Sequence, residues 1–342
     1  MTMLPTVQLG ANGPLVSAQG LGLMGLSMFY GVPMPDEDRL RFLDEAHARG
    51  VTFWDTADVY ADNEDILARW FQRSGKRQDI FLATKFGIQQ RPGLPSSIHN
   101  DPAYVREACL RSRARLGLAD GDAIDLYYCH RIDPDQPIEV TMRAMKQLVD
   151  DGLVKCLGLS ECSAATLRRA HRVHPVAAVQ VEISPFAVDA FHNGLLQACE
   201  ELGVAVVPYS PFSRGFLTGK IRSADDFDAT DRRRILPRFS AENFPKNLAV
   251  VDRLQALAAQ KKCTVGQLSL AWLCASVKMV VPIPGTTKIR NLEENVGSLD
   301  VRLDPKDLEE INEVIQAAEV HGDRHPSSMM PYLYVDTVSL SE

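Results

Sequence analysis

The sequence predicts an α/β protein: a TIM-type (β/α)8 barrel with an N-terminal β-hairpin, a long loop after the seventh strand and a C-terminal tail. Three observations carry that prediction. Short apolar runs alternate with amphipathic helical stretches along the chain, the pattern of a parallel sheet covered on its faces. About eight such runs are present, which points to a closed barrel more than to an open sheet. Gly50, Gly117, Gly152 and Gly203 each stand between a helical stretch and the next apolar run, where a helix ends on a residue of positive φ.

In chain order, Val7–Leu9 and Leu15–Ser17 flank Gly10–Pro14, and the Asn12-Gly13 step within it is a hairpin turn signal. Strands are expected at Gly20–Met24, Val51–Asp55, Ile80–Thr84, Ile124–Cys129, Val154–Leu159, Ala178–Val181, Val204–Val207 and Met279–Ile283. Helices are expected at Asp36–Arg49, Asn63–Arg73, Pro102–Leu116, Ile138–Asp151, Ser163–Val173, where Ser163 is a good N-cap, Asp189–Leu202 and Ile289–Val296. Two stretches break the alternation: Tyr209–Asn247, rich in Pro, Gly and Arg, and the tail His321–Glu342. Loops of such length are usually functional or disordered, and the phosphate-suited residues of the first favour function. The expected organisation is one domain over 1–342, with the barrel at about 20–318 and the tail at 319–342.

The 342 residues accommodate a barrel of ~250 residues plus insertions. A net charge of −7 argues against a nucleic-acid partner and leaves room for a local basic patch. The seven cysteines form no CxxC and are odd in number, which reads as reduced thiols in a cytoplasmic protein. The N-terminus shows no charged-then-apolar signal, no apolar run approaches the ~20 residues of a membrane span, and the final Ser339–Glu342 is no peroxisomal ending. No membrane contact and no metal are expected.

One motif misleads. Gly20-Leu21-Gly22-Leu23-Met24-Gly25 fits the dinucleotide fingerprint GxGxxG, with Asp44 and Glu45 at the right distance. Its third glycine should open a helix, but Gly31, Pro33 and Pro35 follow. The alternative is a glycine-rich first barrel strand whose end comes close to a ligand.

Four residues lie at or just beyond strand ends: Asp55, Tyr60, Lys85 and His130. Strand ends of a parallel barrel converge on one face, so residues far apart in sequence can meet there. Taken singly, Tyr60 reads as a surface tyrosine, Lys85 as a loop lysine and His130 as a core histidine. Asp55, closing an apolar strand, wants a cationic partner. Together they make a proton-donating site: a phenol of ordinary pKa ~10 is a poor acid near neutrality, and an ammonium beside it lowers that value. Reduction of a carbonyl by a hydride donor requires such a site. Ser210–Lys220 after strand seven and Gly285-Thr286-Thr287-Lys288 before the helix Ile289–Val296 form the usual barrel phosphate site, with a helix N-terminus favouring an anion.

The stretches Phe53–Tyr60, Ala83-Thr84-Lys85, Asp125–His130 and Val207–Pro211 resemble the active-site segments of the aldo-keto reductase superfamily, over about residues 6–320. Gly158-Leu159-Ser160-Glu161 and Gln180-Val181-Glu182 are most similar to the subgroup of pyridoxal reductases and the plant and fungal auxin-induced-like reductases. The resemblance implies a (β/α)8 barrel, an NADPH/NADP+ cofactor across its mouth and reduction of a small-molecule aldehyde or ketone to an alcohol. It implies Tyr60 as general acid, Lys85 lowering its pKa, Asp55 pairing with Lys85 and His130 positioning the carbonyl. On the cofactor side it implies Met24 and Asp55 at strand ends, Ser160 and Gln180 on the nicotinamide carboxamide, and Tyr209 stacked on the nicotinamide ring. Ser210, Pro211, Arg214, Gly215 and Lys220 belong to the implied phosphate grip, as do Pro284, Gly285, Thr287 and Lys288. Lys288, with one of Arg232, Arg233, Arg234 or Arg238, would neutralise an adenosine 2′-phosphate. Glu294 and Asn295 match the adenine positions, and Asn291 stands where many relatives carry Arg or Gln.

The substrate pocket is expected from Phe29, Tyr30 and Phe186, together with the loops Ile88–Asn100 and Arg131–Pro137 and the tail around Met329–Tyr334. Two other readings compete with a reductase. One is a cofactor-sensing subunit with little turnover. The other is a barrel glycosidase using Asp55, Glu161 and Glu182, which would require neither Tyr60 nor Lys85.

Overall fold

A computed structural model describes residues 4–90 and 96–340. Strands β1 (Thr6–Gln8) and β2 (Leu15–Ser17) form an antiparallel hairpin, with Val7 opposite Val16. The main sheet comprises β3 (Leu21–Gly22), β4 (Phe53–Asp55), β5 (Phe81–Phe86), β8 (Ile124–Cys129), β9 (Val154–Ser160), β10 (Ala178–Glu182) and β11 (Ala205–Tyr209). All are parallel, in the order β11-β10-β9-β8-β5-β4-β3. A two-stranded excursion, β6 (Ile88–Gln89) with β7 (Ser97–Ile98), follows β5.

Residues 279–285 close the sheet. Val280 bridges Val206 of β11 and Gly285 bridges Gly22 of β3, both in parallel. The Ile283 N–H donates to Pro208 O at 3.1 Å, and the Gly20 N–H to Pro282 O at 2.9 Å. The expected strand Met279–Ile283 therefore occupies the eighth position as bridges, because Pro282 and Pro284 have no N–H to give a regular ladder. The GxGxxG glycines take part in this closure. A Cβ on Gly22 would lie 2.9 Å from Ile283 O, and one on Gly20 3.0 Å from Phe53 O.

Side chains alternate across the barrel wall with period two. Phe53, Ala83, Leu126, Tyr128, Ala178, Ala205, Val207, Val281 and Ile283 cluster together inside, with Leu9 and Val16 of the hairpin. Trp54, Leu82, Tyr127, Cys129, Leu159, Val179 and Val206 belong to the second cluster, against the helices. Gly158 falls on the inward parity because Tyr128 fills the space: a Cβ there would meet its ring at 2.4 Å.

Most helices match their expected ranges, including Asn63–Ser74, Pro102–Arg115, Ile138–Asp150 and Ile289–Val296. Ser163 caps Ala164–Val173 by accepting from the Thr166 N–H. The expected helix Asp189–Leu202 is broken into Asp189–His192 and Leu195–Leu202 by Gly194 at φ 78°. The loop after β11 contains four short 3-10 turns and runs into the helix Phe244–Gln260. That helix, Val265–Ser276 and Pro305–Gln316 were not foreseen, although capping boxes at Thr264/Gln267 and Asp304/Asp307 mark the last two. All seven cysteines are free thiols. No helix of the described residues is long and apolar enough to cross a membrane.

Because φ at Gly158 is ordinary, Gly158→Ala tests barrel packing alone. The expected cost is about 1–3 kcal/mol, read as a lowered thermal midpoint. An unchanged midpoint would mean that Tyr128 has room to move.

Candidate active site

The parity of the wall decides which residues reach the mouth. Asp55, Lys85 and His130 each stand two residues beyond an inward side chain: Phe53, Ala83 and Tyr128. Ser160, Gln180, Glu182 and Tyr209 share that parity on β9, β10 and β11, with Ser160 opposite Gln180 and Glu182 opposite Tyr209. Seven side chains from six elements thus converge at one end of the barrel.

At its base Lys85, 0% exposed, donates from Nζ to Asp55 Oδ1 at 2.5 Å and to Thr56 O at 2.7 Å. The second Asp55 oxygen accepts from Gln180 Nε2 at 2.8 Å. Burial disfavours the Lys85 ammonium, but Asp55 and Tyr60 outweigh it and the pKa is raised. Burial likewise raises Asp55, against the pull of Lys85 and Gln180.

Tyr60 comes from the loop after β4. Arg115 holds that loop, donating to Asp58 O at 2.9 Å and to Asp65 Oδ2 at 2.8 Å. The loop's end is tied in by Asn63, which accepts from Thr56 Oγ1 at 2.6 Å and donates to Leu23 O at 3.0 Å. So placed, the Tyr60 ring has Lys85 Nζ 5.0 Å from its centroid and the His130 ring 5.7 Å away, edge-on at 86°. The expected lowering influence of Lys85 on the Tyr60 pKa is present, but it does not decide the net shift. Lys85 is the largest lowering influence, but loss of water around the phenol exceeds it, and the net shift is upward. Tyr60 is therefore protonated at neutral pH. His130 is neutral: burial, then Lys85 and Arg131, press its pKa well below the ordinary value. Its Nδ1 has no hydrogen-bond partner among the described residues.

Above this base lies a second charge cluster. Glu161 and Glu182 are both 0% exposed. Glu161 takes both arms of Arg324, each at 2.9 Å, and the Tyr209 hydroxyl at 2.8 Å. Glu182 pairs with Arg214 at 3.2 Å and Arg324 at 3.5 Å. Arg238 approaches Glu182, and Arg131 donates to His130 O at 2.7 Å and to Ser160 Oγ at 3.4 Å. His325 sits among these arginines and, buried beside them, stays uncharged. Four guanidiniums thus surround two carboxylates, a local positive excess in an acidic chain. Both glutamates are paired with arginines, and, despite burial, Arg324 helps hold the Glu161 carboxyl below its ordinary value, against its serving as the acid of a glycosidase.

The remaining expected residues are more dispersed. Met24 opens a 3-10 turn just after β3. Ser210 and Arg214 have positive φ, and Gly215 follows with φ 94°; Pro211 lies inside this turn. Lys220 reaches across to Asn291 at 3.1 Å and Glu294 at 2.8 Å, tying the loop after β11 to the helix Ile289–Val296. Gly285 is the closing bridge after Pro284, Thr286 accepts from the Lys288 N–H at 3.1 Å, and Thr287 lies between them. Lys288 is exposed and has no ion pair among the described residues. Asn295 is buried, and its carbonyl accepts from Gln19 at 3.2 Å. Of the four arginines offered for a phosphate, Arg233 is paired with Asp231, Arg234 donates to Phe227 O and Arg238 is buried beside Glu182. Arg232 is exposed, and its N–H donates to Phe29 O at 3.1 Å. Phe29 and Tyr30 pack edge-on at 5.0 Å near the mouth. Phe186 is instead buried against Phe216 at 5.6 Å, because it follows β10 into the helix layer. In the loop 88–100, residues 91–95 lie outside the described residues. Arg324 and His325 were missed: no spacing in the tail distinguishes them.

Residues 20–316 match the aldo/keto reductase family. The chain belongs to that family. The aldo-keto reductase str7 of Strobilurus tenacellus is 47% identical over 99% of both chains. The aldo-keto reductase yakc [NADP(+)] of Schizosaccharomyces pombe is 44% identical over 98% of both. Among solved structures, the glycerol dehydrogenase AKR11B4 of Gluconobacter oxydans shares the fold, with a TM-score of 0.81 at 24% identity over 93% of this chain and 97% of its own. The thermostable aldo-keto reductase Tm1743, solved with the inhibitor epalrestat, gives 0.72 at 26% identity over 91% of this chain and 100% of its own.

Beside the Tyr60 loop of this aldo/keto reductase lies a cavity of about 410 Å³ lined by Met28, Asp58, Val59, Ala61, Gln89 and Tyr104, among others. Burial, and then Glu64, push the Asp58 carboxyl up from 3.8 to about 7. The folded state therefore binds this proton more tightly than the unfolded state, and stability falls as pH rises through that window. Asp58→Asn removes the charge. It is expected to gain on the wild type between about pH 4 and about pH 8, by on the order of 4 kcal/mol, in urea unfolding at both ends. A difference that does not change with pH would show that folding leaves the Asp58 pKa unshifted.

Proposed function

We propose that this protein reduces an aldehyde or ketone to the alcohol, with NADPH as hydride donor and Tyr60 as the proton donor. The observation that carries this reading is the buried Lys85–Asp55 pair beneath the Tyr60 ring, with the neutral His130 edge-on to it. A phenol that stays protonated until the reaction begins has its proton to give, and the Lys85 ammonium offsets part of the rise in pKa that burial imposes. As a carbonyl oxygen gains negative charge, that charge stabilises on the side facing Lys85, where water is excluded and electrostatics are strong. The Tyr60 proton then passes to the oxygen, and the phenolate left behind is held by the Lys85 ammonium. Neutral His130 orients the carbonyl by donating a hydrogen bond from its one N–H, and lacks the acidic second proton of an imidazolium that would compete with Tyr60. Asp55 keeps Lys85 charged at a depth where an isolated lysine would lose its proton.

The residues present fit the cofactor. The guanidinium excess around Glu161 and Glu182 favours an anion at the mouth, next to the positive-φ turn Ser210–Gly215. When bound, NADPH supplies the hydride. Ser160 and Gln180, adjacent on β9 and β10, would hold its carboxamide, and the Tyr209 ring would meet the nicotinamide. The Lys220 link would fasten the loop over the dinucleotide, with Glu294 and Asn295 towards the adenine. Exposed, unpaired Lys288 at a helix N-terminus suits the 2′-phosphate, and the printed name of the yakc relative carries NADP(+).

Tyr60→Phe is expected to lower turnover at least about a hundredfold, followed as loss of NADPH absorbance with aryl aldehydes and pyridoxal, while NADPH still binds nearly as tightly. Retained turnover would remove Tyr60 from the mechanism. Lys288→Met is expected to raise the KM for NADPH about tenfold and to leave the KM for NADH nearly unchanged. Equal effects on both would place the 2′-phosphate elsewhere.

A further inference from the structure

The tail enters the mouth through one residue of the wall. Glu161 follows β9 with φ 54°, a left-handed conformation uncommon for a glutamate. Its N–H donates to Gln180 O at 3.0 Å, and its carbonyl accepts from the Val335 N–H of the tail at 2.9 Å. Ser163 N–H in turn donates to Val335 O at 3.1 Å, so the tail runs as a short parallel bridge beside Cys162. This arrangement turns the Glu161 carboxylate inward, where Arg324 grips both oxygens at 2.9 Å. Arg324 is 3% exposed, and its guanidinium lies 5.1 Å from the centre of the Tyr334 ring. The fork is therefore held at its edge by the wall and on a face by the tail.

The third partner of this pair is Tyr209. Its hydroxyl donates to Glu161 Oε1 at 2.8 Å and lies 3.4 Å from Arg324 Nη1. A tyrosine at a strand end can swing between staggered rotamers about its first side-chain bond. Here the phenolic oxygen at the far end of the ring is held on a carboxylate, which is itself held by a bidentate guanidinium, so the direction of the ring axis is fixed. If Arg324 is lost, Glu161 is left buried without its cation and must protonate or move. Either change takes away the fixed acceptor of the Tyr209 hydroxyl.

We infer that Arg324 is a positioning residue of the cofactor site: acting through Glu161, it holds the Tyr209 ring in the place where it meets the nicotinamide. The inference rests on the reading above that the Tyr209 ring faces the cofactor. It makes the C-terminal tail a working part of the cofactor site, through a residue 115 positions from Tyr209 in the chain.

The test is a double-mutant cycle on full-length protein, Arg324→Met against Tyr209→Phe. NADPH dissociation constants are read by fluorescence, and thermal midpoints are measured in parallel. Tyr209→Phe keeps the ring and deletes only the hydroxyl. Each single substitution is expected to weaken NADPH binding about tenfold, and the double variant by little more than the worse single, the non-additivity of groups acting as a unit. Effects that multiply would overturn the inference. So would a lowered midpoint in Arg324→Met with wild-type affinity, since that is the signature of a purely structural residue. If Arg324→Met fails to fold, Arg324→Lys takes its place in the cycle. It keeps the charge and loses the fork, and is expected to weaken NADPH binding measurably at a near-normal midpoint; wild-type affinity in that variant would overturn the inference. Wild-type protein that binds no NADPH would instead fail the underlying reading of the site, and the inference with it.

Discussion

Closure of the sheet is the constraint on which everything else rests. Residues 279–285 must touch β11 on one side and β3 on the other. The contact with β3 is tight enough that a Cβ on Gly285 would lie 3.0 Å from Gly22 O. Once the ring is closed, the two-residue period of a strand leaves each side chain facing either the interior or the helices. The inward residues at the C-terminal ends then have a common destination. Asp55, Lys85, His130, Ser160, Gln180, Glu182 and Tyr209 meet because of parity and closure, and no local interaction between neighbours in sequence would bring them together.

Two charge systems share the mouth, and they solve the same desolvation problem differently. At depth, Lys85 and Asp55 form a single pair, with the remaining Asp55 oxygen satisfied by Gln180. Leaving either partner uncompensated there would cost several kcal/mol, so the pair persists and supplies a fixed cation under Tyr60. In the second system, Glu161 and Glu182 are equally buried but outnumbered by arginines, which leaves a local surplus of positive charge. Between the two systems, Tyr60 stays protonated and His130 stays neutral. The site thus offers neutral hydrogen-bond donors backed by buried positive charge, the arrangement that favours an oxygen acquiring negative charge.

The tail links these systems to the end of the chain. Its backbone pairs with Glu161 and Ser163, and Arg324 and His325 enter the arginine cluster. A segment with little regular structure of its own is ordered there by contacts that include a bidentate ion pair, a short bridge, the Tyr334 ring and the Arg169 bonds to Thr337 O and Val338 O.

Most of the barrel, and most of the side chains that meet at its mouth, were legible in the sequence, since apolar runs, glycine stops and residues just past strand ends are local signals. Ile124–Cys129 and Ile289–Val296 match their expected bounds. The departures occur where local and tertiary demands differ. The eighth strand is reduced to bridges by prolines, one helix is divided at Gly194, and Phe186 turns into the core. The balance of burial against a single ammonium, which raises rather than lowers the Tyr60 pKa, depends on how much water the folded mouth excludes and has no trace in residue order. The partnership of Glu161 with Arg324 was equally hidden, because 163 residues separate them. By itself the sequence determined which side chains could line the barrel mouth, through the period of its strands. Only the tertiary structure decided their charge states and partners, because those depend on desolvation and on contacts that form when the barrel closes and the tail folds back over it.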